Sequence, residues 1–311
     1  MKKIIYFFLV CVISFFAYIY KEDIAKFLVD NIFTQEKIVS DIKYNDYFKR
    51  NSYNFVGNTT DFIVNDRKEI LDVFYTILNS GMTEFTFYCS DEYIGCIKEV
   101  DVISKDRSLL SNINNFVNVY NSFKDIVTTR YEASGKVEVK VSYLYDNEKI
   151  NKINSKVKEI IANLITDNMS DRDKIKVIHD YLIENTKYDS NRSDYNIITY
   201  ESNTAYGLLF EGYAICSGYS DAMQLFLNKF NIPNIKIASK NHIWNLVYIE
   251  DNWYHLDLTW DDPLLEDGRE IIDYSYFLIT TEELYSKEDN QHYFDEDIYK
   301  EAMNNKNTQD Y

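Results

Sequence analysis

The feature that most restricts the fold is the segment EGYAICSGYSDAMQLFLNKF, residues 211–230, in which Cys216 separates a run of small residues from an amphipathic stretch. The apolar side chains of that stretch recur at the spacing of one helical face, at Tyr219, Ala222, Met223, Phe226 and Phe230. Asn231 and Pro233 then interrupt the pattern. The sequence therefore predicts a helix that begins at Cys216 and buries one face.

A cysteine at the start of a helix is well placed for nucleophilic chemistry. The helix N-terminus offers unpaired N–H groups and the positive end of the macrodipole, and both stabilise a thiolate. Gly212 and Ala214 before the cysteine, and Gly218 after it, keep the approach open to a substrate backbone. We therefore predict that Cys216 is a nucleophile.

Two strands that follow this helix carry candidates for the base and its orienting acid. HIWNLVYIE and WYHLDLTW, joined by Asp251 and Asn252, are typical of a β-hairpin. His242 opens the first strand and Asp257 lies on the second, at similar distances from the turn. Antiparallel pairing would bring the two within a residue or two of register, which predicts His242 as base and Asp257 as orienting acid.

Other histidine assignments stay open. His255 is two residues from Asp257, so both side chains face the same side of a strand, and it is the alternative base. A further alternative is that no histidine is catalytic. His179, beside the apolar face of an upstream helix, is expected to be structural, and His292, in an acidic C-terminal stretch, is the weakest candidate.

The chain divides into four predicted regions. Residues 1–21 form a membrane segment, 22–64 a polar spacer, 65–146 a small α+β domain, and 147–311 the domain that carries Cys216. The small domain is predicted to contain a helix capped by Asn65 or Asp66, the strand TEFTFYC, a helix over Ser108–Asn118, and a hairpin with its turn at Ser134 and Gly135. Nothing in it indicates chemistry.

The N-terminal region has the layout of an export signal. Lys2 and Lys3 precede the apolar run IIYFFLVCVISFFAYIY, residues 4–20, whose helical length of about 25 Å is the low end of a bilayer span. Because AYIYKED lacks a small-residue cleavage site, we favour an uncleaved signal anchor, with a removed peptide and a secreted chain as the alternative. The basic residues place the N-terminus in the cytoplasm and residues 22–311 outside.

Charge and cysteine content agree with this location. The chain has 50 acidic and 33 basic residues, a net charge of −17, which argues against nucleic-acid binding. Cys89 and Cys96 are close enough to form a small disulfide loop in an oxidising compartment, with two unpaired thiols as the alternative. Cys216 is then left over from this pairing, and it is either buried and inert or reactive and retained for its chemistry.

Together, AYGLLFEGYAICSGYSDAMQLFL and NHIWNLVYIEDNWYHLDLTWDDP resemble the core of the bacterial transglutaminase-like superfamily, over about residues 170–285. Members resemble papain in architecture, with a cysteine-bearing helix packed on an antiparallel sheet that carries His and Asp. The resemblance assigns the nucleophile to Cys216, the base to His242 and the orienting acid to Asp257. It implies an α+β fold with a papain-like core, preceded by the small domain and the membrane segment.

The resemblance also implies acyl transfer through a thioester on peptide or protein amides. With the predicted membrane anchor, we expect such an enzyme to act in the cell envelope. The backbone N–H of Cys216 and an upstream side chain would stabilise the oxyanion. Tyr206 is a candidate for that side chain, although a packing aromatic beside Gly207 is the favoured alternative. No cofactor or metal is predicted; the carboxylates of DLTWDDP (Asp257, Asp261, Asp262) are an alternative cation site, but a solvated turn is favoured. Trp244, Trp253 and Trp260 either line the cleft or lie in the core. A binding module that keeps the fold without the chemistry is the alternative function.

Overall fold

A computed structural model of the 311-residue chain describes residues 6, 12, 14–21, 24, 62–263, 271–287 and 289–304. Residues 14–19 are helical. Most of the predicted membrane segment and nearly all of the predicted spacer therefore lie outside the described residues. Within the part that is described, no helix combines the length and the apolar character needed to cross a membrane.

The first unit is a four-stranded sheet with three helices. Its strand order is β1-β2-β4-β3, with β1 parallel to β2 and the other neighbours antiparallel. The elements are β1 (Ile63–Val64), α1 (Arg67–Asn79), β2 (Glu84–Cys89), α2 (Cys96–Lys105), α3 (Arg107–Asn114), a short 3-10 turn (Val119–Asn121), β3 (Phe123–Tyr131) and β4 (Lys136–Tyr143). Strand β1 falls within the region that was predicted as a spacer. The sequence did not indicate it, because two residues are too few to show the alternation typical of a strand.

Local signals explain most of this unit. The Asp66 side chain caps α1 by accepting from the Glu69 N–H, as expected for Asn65 or Asp66. Helix α2 was not expected, since Gly95 precedes it and supplies no capping side chain. The predicted helix over Ser108–Asn118 ends earlier, at Asn114. A disulfide joins Cys89 at the end of β2 to Cys96 at the start of α2, with Cα atoms 5.8 Å apart.

The second unit places a central helix on an antiparallel sheet. That sheet has the order β10-β9-β8-β7. The elements are α4 (Asn147–Leu164), α5 (Asp171–Glu184), β5 (Lys187–Tyr188), α6 (Ser190–Tyr195), a π-helical turn (Gly207–Glu211), β6 (Tyr213–Ala214), α7 (Cys216–Lys229), β7 (Asn234–Ala238), β8 (Ile243–Ile249), β9 (Asn252–Leu256), β10 (Phe277–Ile279), α8 (Thr281–Ser286) and α9 (Glu296–Asn304).

The predicted hairpin is formed by β8 and β9, with its turn one residue earlier than expected. Ile249 lies opposite Asn252, so the two turn residues are Glu250 and Asp251, at φ 52° and 61°. Two consecutive residues with positive φ match the right-handed twist of the strands and fix a two-residue connection. Asn252 already belongs to β9, because its partner on β8 is in register.

Helix α7 is more deeply buried than one amphipathic face requires. Every residue from Gly218 to Leu227 is buried. The helix packs on β7 and β8 on one side and on α5 on another, so polar residues such as Gln224 and Asp221 are also enclosed.

The two units share a hydrophobic core. One cluster of buried side chains includes Phe74 and Phe87 of the first unit together with Ile237 and Trp244 of the second sheet. The packing is therefore continuous across the boundary predicted between residues 146 and 147. The first unit packs against the sheet that contains the β8–β9 hairpin.

Candidate active site

Cys216 occupies the first position of α7, as the sequence predicts. Its thiol is partly exposed and is the one free cysteine among the described residues. The helix start is held in place, because the Ile215 N–H donates to the Ser202 carbonyl at 2.8 Å. A Cβ on Gly218 would lie 2.3 Å from the same carbonyl oxygen, so only glycine fits this close approach.

The thiol opens into a cleft of about 980 Å³. The residues that line the cleft come from segments before and after α7 in the chain and are mostly polar. They include Tyr188, Lys240, His242, Trp260 and Asp262. A cleft of this size with a thiol in its wall has the dimensions of a substrate site.

His242 links the thiol to Asp257. The imidazole and the Cys216 side chain line the same cleft, and the thiol contributes to the raised pKa of the imidazole. Its Nε2 donates to Oδ2 of Asp257, which leaves Nδ1 for the thiol. In the hairpin Asn245 lies opposite Leu256, so Asp257 is two positions out of register with His242, within the predicted offset.

Burial and charge fix the ionisation of this pair. Burial alone would lower the pKa of His242, but the Asp257 carboxylate, with a contribution from Cys216, raises it to about 10. Burial alone would raise the pKa of Asp257, but His242 and a second imidazole, His292, hold it well below its usual range. The arrangement favours an imidazolium beside an ionised carboxylate, as a thiolate nucleophile requires.

Sequence comparison identifies the domain. A family model described as the transglutaminase-like superfamily matches residues 158–258, a range that contains Cys216, His242 and Asp257. Residues 158–258 are a transglutaminase-like domain.

Other comparisons add little detail. A solved structure described as a crystal structure of a TGase is 14% identical, with 72% of this chain and 65% of that chain covered and a TM-score of 0.33. The chain thus spans slightly less than two thirds of that protein's length. No curated protein matches the sequence significantly.

Trp244 and Trp260 both contribute to the site of the transglutaminase-like domain. Trp244 is buried and stacks on His242, with ring centroids 5.6 Å apart and an interplanar angle of 16°. Trp260 lines the cleft. Trp253 lies in the core, where it packs on Tyr248. One of the three tryptophans is thus in the wall and two are beneath the surface.

The alternative base, His255, has a different role. Its Nδ1 accepts from Trp244 Nε1 at 2.9 Å, and its Nε2 lies 3.0 Å from Thr281 Oγ1. Burial, followed by the charge of His292, lowers the pKa of His255 to about 3, so the ring is neutral. His255 anchors the tryptophan under the base instead of facing the thiol.

His292, the weakest candidate by sequence, lies against the orienting acid. Its Nε2 is 2.9 Å from Asp257 Oδ2, and its Nδ1 is 2.8 Å from Asp289 Oδ1. The ring is buried and close to His242, with centroids 5.2 Å apart. Sequence reasoning missed this contact because 35 residues separate His292 from Asp257, and no local pattern spans that distance.

His179 is structural, as predicted. It is fully buried, with Nδ1 2.9 Å from Asp180 Oδ1 and Nε2 3.1 Å from Asp261 Oδ2. Burial alone would lower the pKa of His179, but the two carboxylates raise it. The ring joins α5 to the segment that follows β9.

The His and Asp side chains that could bind a metal make hydrogen bonds to one another or to other side chains. One ligand-type atom each from His242, Asp257 and His292 lies within 4.8 Å of the others, and the carboxylate oxygen is bonded to both rings. Asp261 is bonded to His179, and Asp262 accepts from the Tyr219 hydroxyl. The carboxylates of DLTWDDP thus turn towards separate protein partners, while the expectation of no metal stays a prediction.

Tyr206 is not placed to stabilise an oxyanion. Its ring stacks on Phe210, with centroids 4.8 Å apart, under the Lys149 ammonium. Tyr188, next to α7 in space, lines the cleft together with Cys216. Burial raises the pKa of the Tyr188 hydroxyl, with a contribution from Cys216, so the hydroxyl keeps its proton and can donate.

Proposed function

We propose that the chain is a thiol enzyme that transfers or hydrolyses acyl groups through a thioester on Cys216. The observation that carries this proposal is that Cys216 and His242 lie together in the wall of an open cleft and that His242 is hydrogen-bonded to Asp257. Nucleophile, base and orienting acid are the three parts that covalent acyl transfer needs.

The chemistry follows from these contacts. His242 takes the proton of the thiol, and Sγ attacks the carbonyl carbon of an amide. As the C–N bond breaks, His242 returns the proton to the leaving nitrogen, which departs as ammonia or as an amine. A second amine, or water, then attacks the thioester with His242 as base, and Sγ leaves and is reprotonated.

The oxyanion is assigned to two donors. The backbone N–H of Cys216 is at the start of α7, where helix N–H groups have no partner within the helix. We assign the second donor to Tyr188 and not to Tyr206, because Tyr188 shares the cleft with the thiol. Its hydroxyl donates to Ser193 Oγ at 3.0 Å in this structure, so it is available for a stronger acceptor.

The substrate and location remain part of the proposal. The polar, open cleft suits a peptide or protein amide better than an apolar small molecule. The basic and apolar N-terminus supports a membrane anchor with the domain outside the cytoplasm, in contact with the cell envelope. The Cys89–Cys96 disulfide suits an oxidising compartment.

The test is incubation of the full chain with cell-wall peptides and with glutamine-bearing proteins, with ammonia release and amine incorporation read in parallel. Cys216→Ala is the control. Turnover that this variant lacks supports the proposal, and the ratio of the two readouts separates amine transfer from hydrolysis. Binding of these peptides with no turnover, equal in wild type and Cys216→Ala, would instead support the binding module.

A further inference from the structure

The Asp257 carboxylate has two imidazole partners, and the thiol-to-acid contact uses only one of them. Oδ2 of Asp257 accepts from His242 and also lies 2.9 Å from Nε2 of His292. Both rings and the carboxylate are at least nine-tenths buried. The second imidazole therefore bears directly on the group that orients the base.

His292 itself lies between two carboxylates. Nδ1 faces Asp289 at 2.8 Å while Nε2 faces Asp257. An ionised carboxylate only accepts hydrogen bonds, so both contacts are bonds only when each ring nitrogen carries a proton. The pKa values of Asp257 and Asp289 are both lowered, in part by His292, which agrees with ionised carboxylates on either side.

The surroundings hold this ring in a fixed orientation. Tyr276 stacks on it at a centroid distance of 4.7 Å, and Trp244 and Trp260 meet it edge to face at 4.9 and 5.1 Å. Tyr276 also donates to Asp289 Oδ2 at 3.2 Å. The titratable groups that face His292 or its partners from the neighbouring elements are Asp257, Asp289, His242, His255, Tyr276 and Lys287.

We propose that His292 is a positioning residue, which holds Asp257 in line with His242 and places a buried positive charge behind that pair. This inference rests on the proposed function, since it assigns a role within the same thiol site. A positive charge beside the His242 imidazolium makes that ring lose its proton at lower pH. Its removal therefore raises the pH at which His242 loses its proton.

The test is the pH dependence of Cys216 alkylation by iodoacetamide, which requires no known substrate. In the full chain, His292→Gln is expected to move the limb of the rate profile that follows the ionisation of His242 to higher pH by about one unit. A uniform fall in rate with unmoved limbs, or a shift to lower pH, would overturn the proposal. His179→Gln is the matched control, since His179 is also a buried ring between two carboxylates but does not touch Asp257; its limbs should stay in place.

A second measurement decides the matter if His292→Gln does not fold. The chain has four histidines, so the nitrogen resonances of their rings can be resolved and assigned in the wild-type protein by NMR. Both nitrogens of His292 should be protonated at pH 7, and a neutral tautomer there would refute the proposal. If wild-type Cys216 alkylates as an ordinary thiol, the proposed function fails, whereas the NMR result still settles the state of His292.

Discussion

Trp244 lies flat against His242, with the two rings 16° from parallel and 5.6 Å apart. The indole nitrogen is tied to His255, so the surface beneath the base cannot rotate freely. His242 is therefore constrained by stacking on one face and by the hydrogen bond of its Nε2 to Asp257. A base held in this way is oriented before any substrate arrives, which is a condition for efficient proton transfer.

Removal of the His242 imidazole should slow the alkylation of the Cys216 thiol. At pH 6 we expect His242→Ala to react with iodoacetamide about a hundredfold more slowly than wild type, because a thiol without a cationic partner is ionised only to a fraction of a percent there. The measurement is the rate of mass increase at Cys216, followed after proteolysis. Cys216→Ala supplies the background, and an unchanged rate in His242→Ala would show that the contact does not activate the thiol.

The sequence was sufficient to predict where Cys216, His242 and Asp257 lie, because each is next to a strong local signal, while their catalytic roles stay predictions. Cys216 opens an amphipathic helix, and His242 and Asp257 flank a hairpin. His292 and Tyr188 carry no such signal, since their places in the site depend on how distant segments pack. The same limit hid α2, whose start lacks a capping side chain. Tyr206 stacks on Phe210, in agreement with the favoured expectation of a packing aromatic.

Loss of the Tyr188 hydroxyl should slow the chemical step. Loss of one oxyanion donor typically costs about a hundredfold in turnover, and we expect Tyr188→Phe to show a fall of that order in kcat with a smaller change in KM. Tyr206→Phe is the matched control and should stay near wild type, since Tyr206 stacks on Phe210 and does not line the cleft. Equal activity in the two variants would exclude Tyr188 as a donor.

The His242–Asp257 pair should make stability fall at alkaline pH. In the folded state the pKa of His242 is raised to about 10 from 6.5, mainly by Asp257 against the effect of burial. The stabilisation is therefore complete below pH 6.5 and is lost as the pH rises towards 10.

Cys216→Ala is the background for this measurement, because it removes the titration of the thiol. Its free energy of unfolding in urea should decrease between pH 7 and 10. The double variant Cys216→Ala/His242→Gln should lose most of that dependence, and an equally steep decrease in both proteins would contradict the assignment.

The disulfide should stabilise the first unit without affecting the site. Cys89 and Cys96 are seven residues apart, and closing a loop of that size stabilises a fold by about 2 kcal/mol. Reduction of the wild type should lower the free energy of unfolding by this amount, as should Cys89→Ala/Cys96→Ala with some added loss of packing. The Cys216 alkylation rate should not change, because neither cysteine lines the cleft; a slower rate would indicate coupling between the units.

The length of the turn at Glu250 and Asp251 fixes which residues of β8 and β9 lie opposite each other at the other end of the hairpin. Side chains alternate between the two faces of a strand, so an insertion or deletion of one residue there would slide β9 by one step and turn Asp257 away from His242. The hairpin could still form, with its apolar pairs exchanged, yet the base would lose its acid. The length of one two-residue connection thus sets whether His242 and Asp257 can meet at the opposite end of the hairpin.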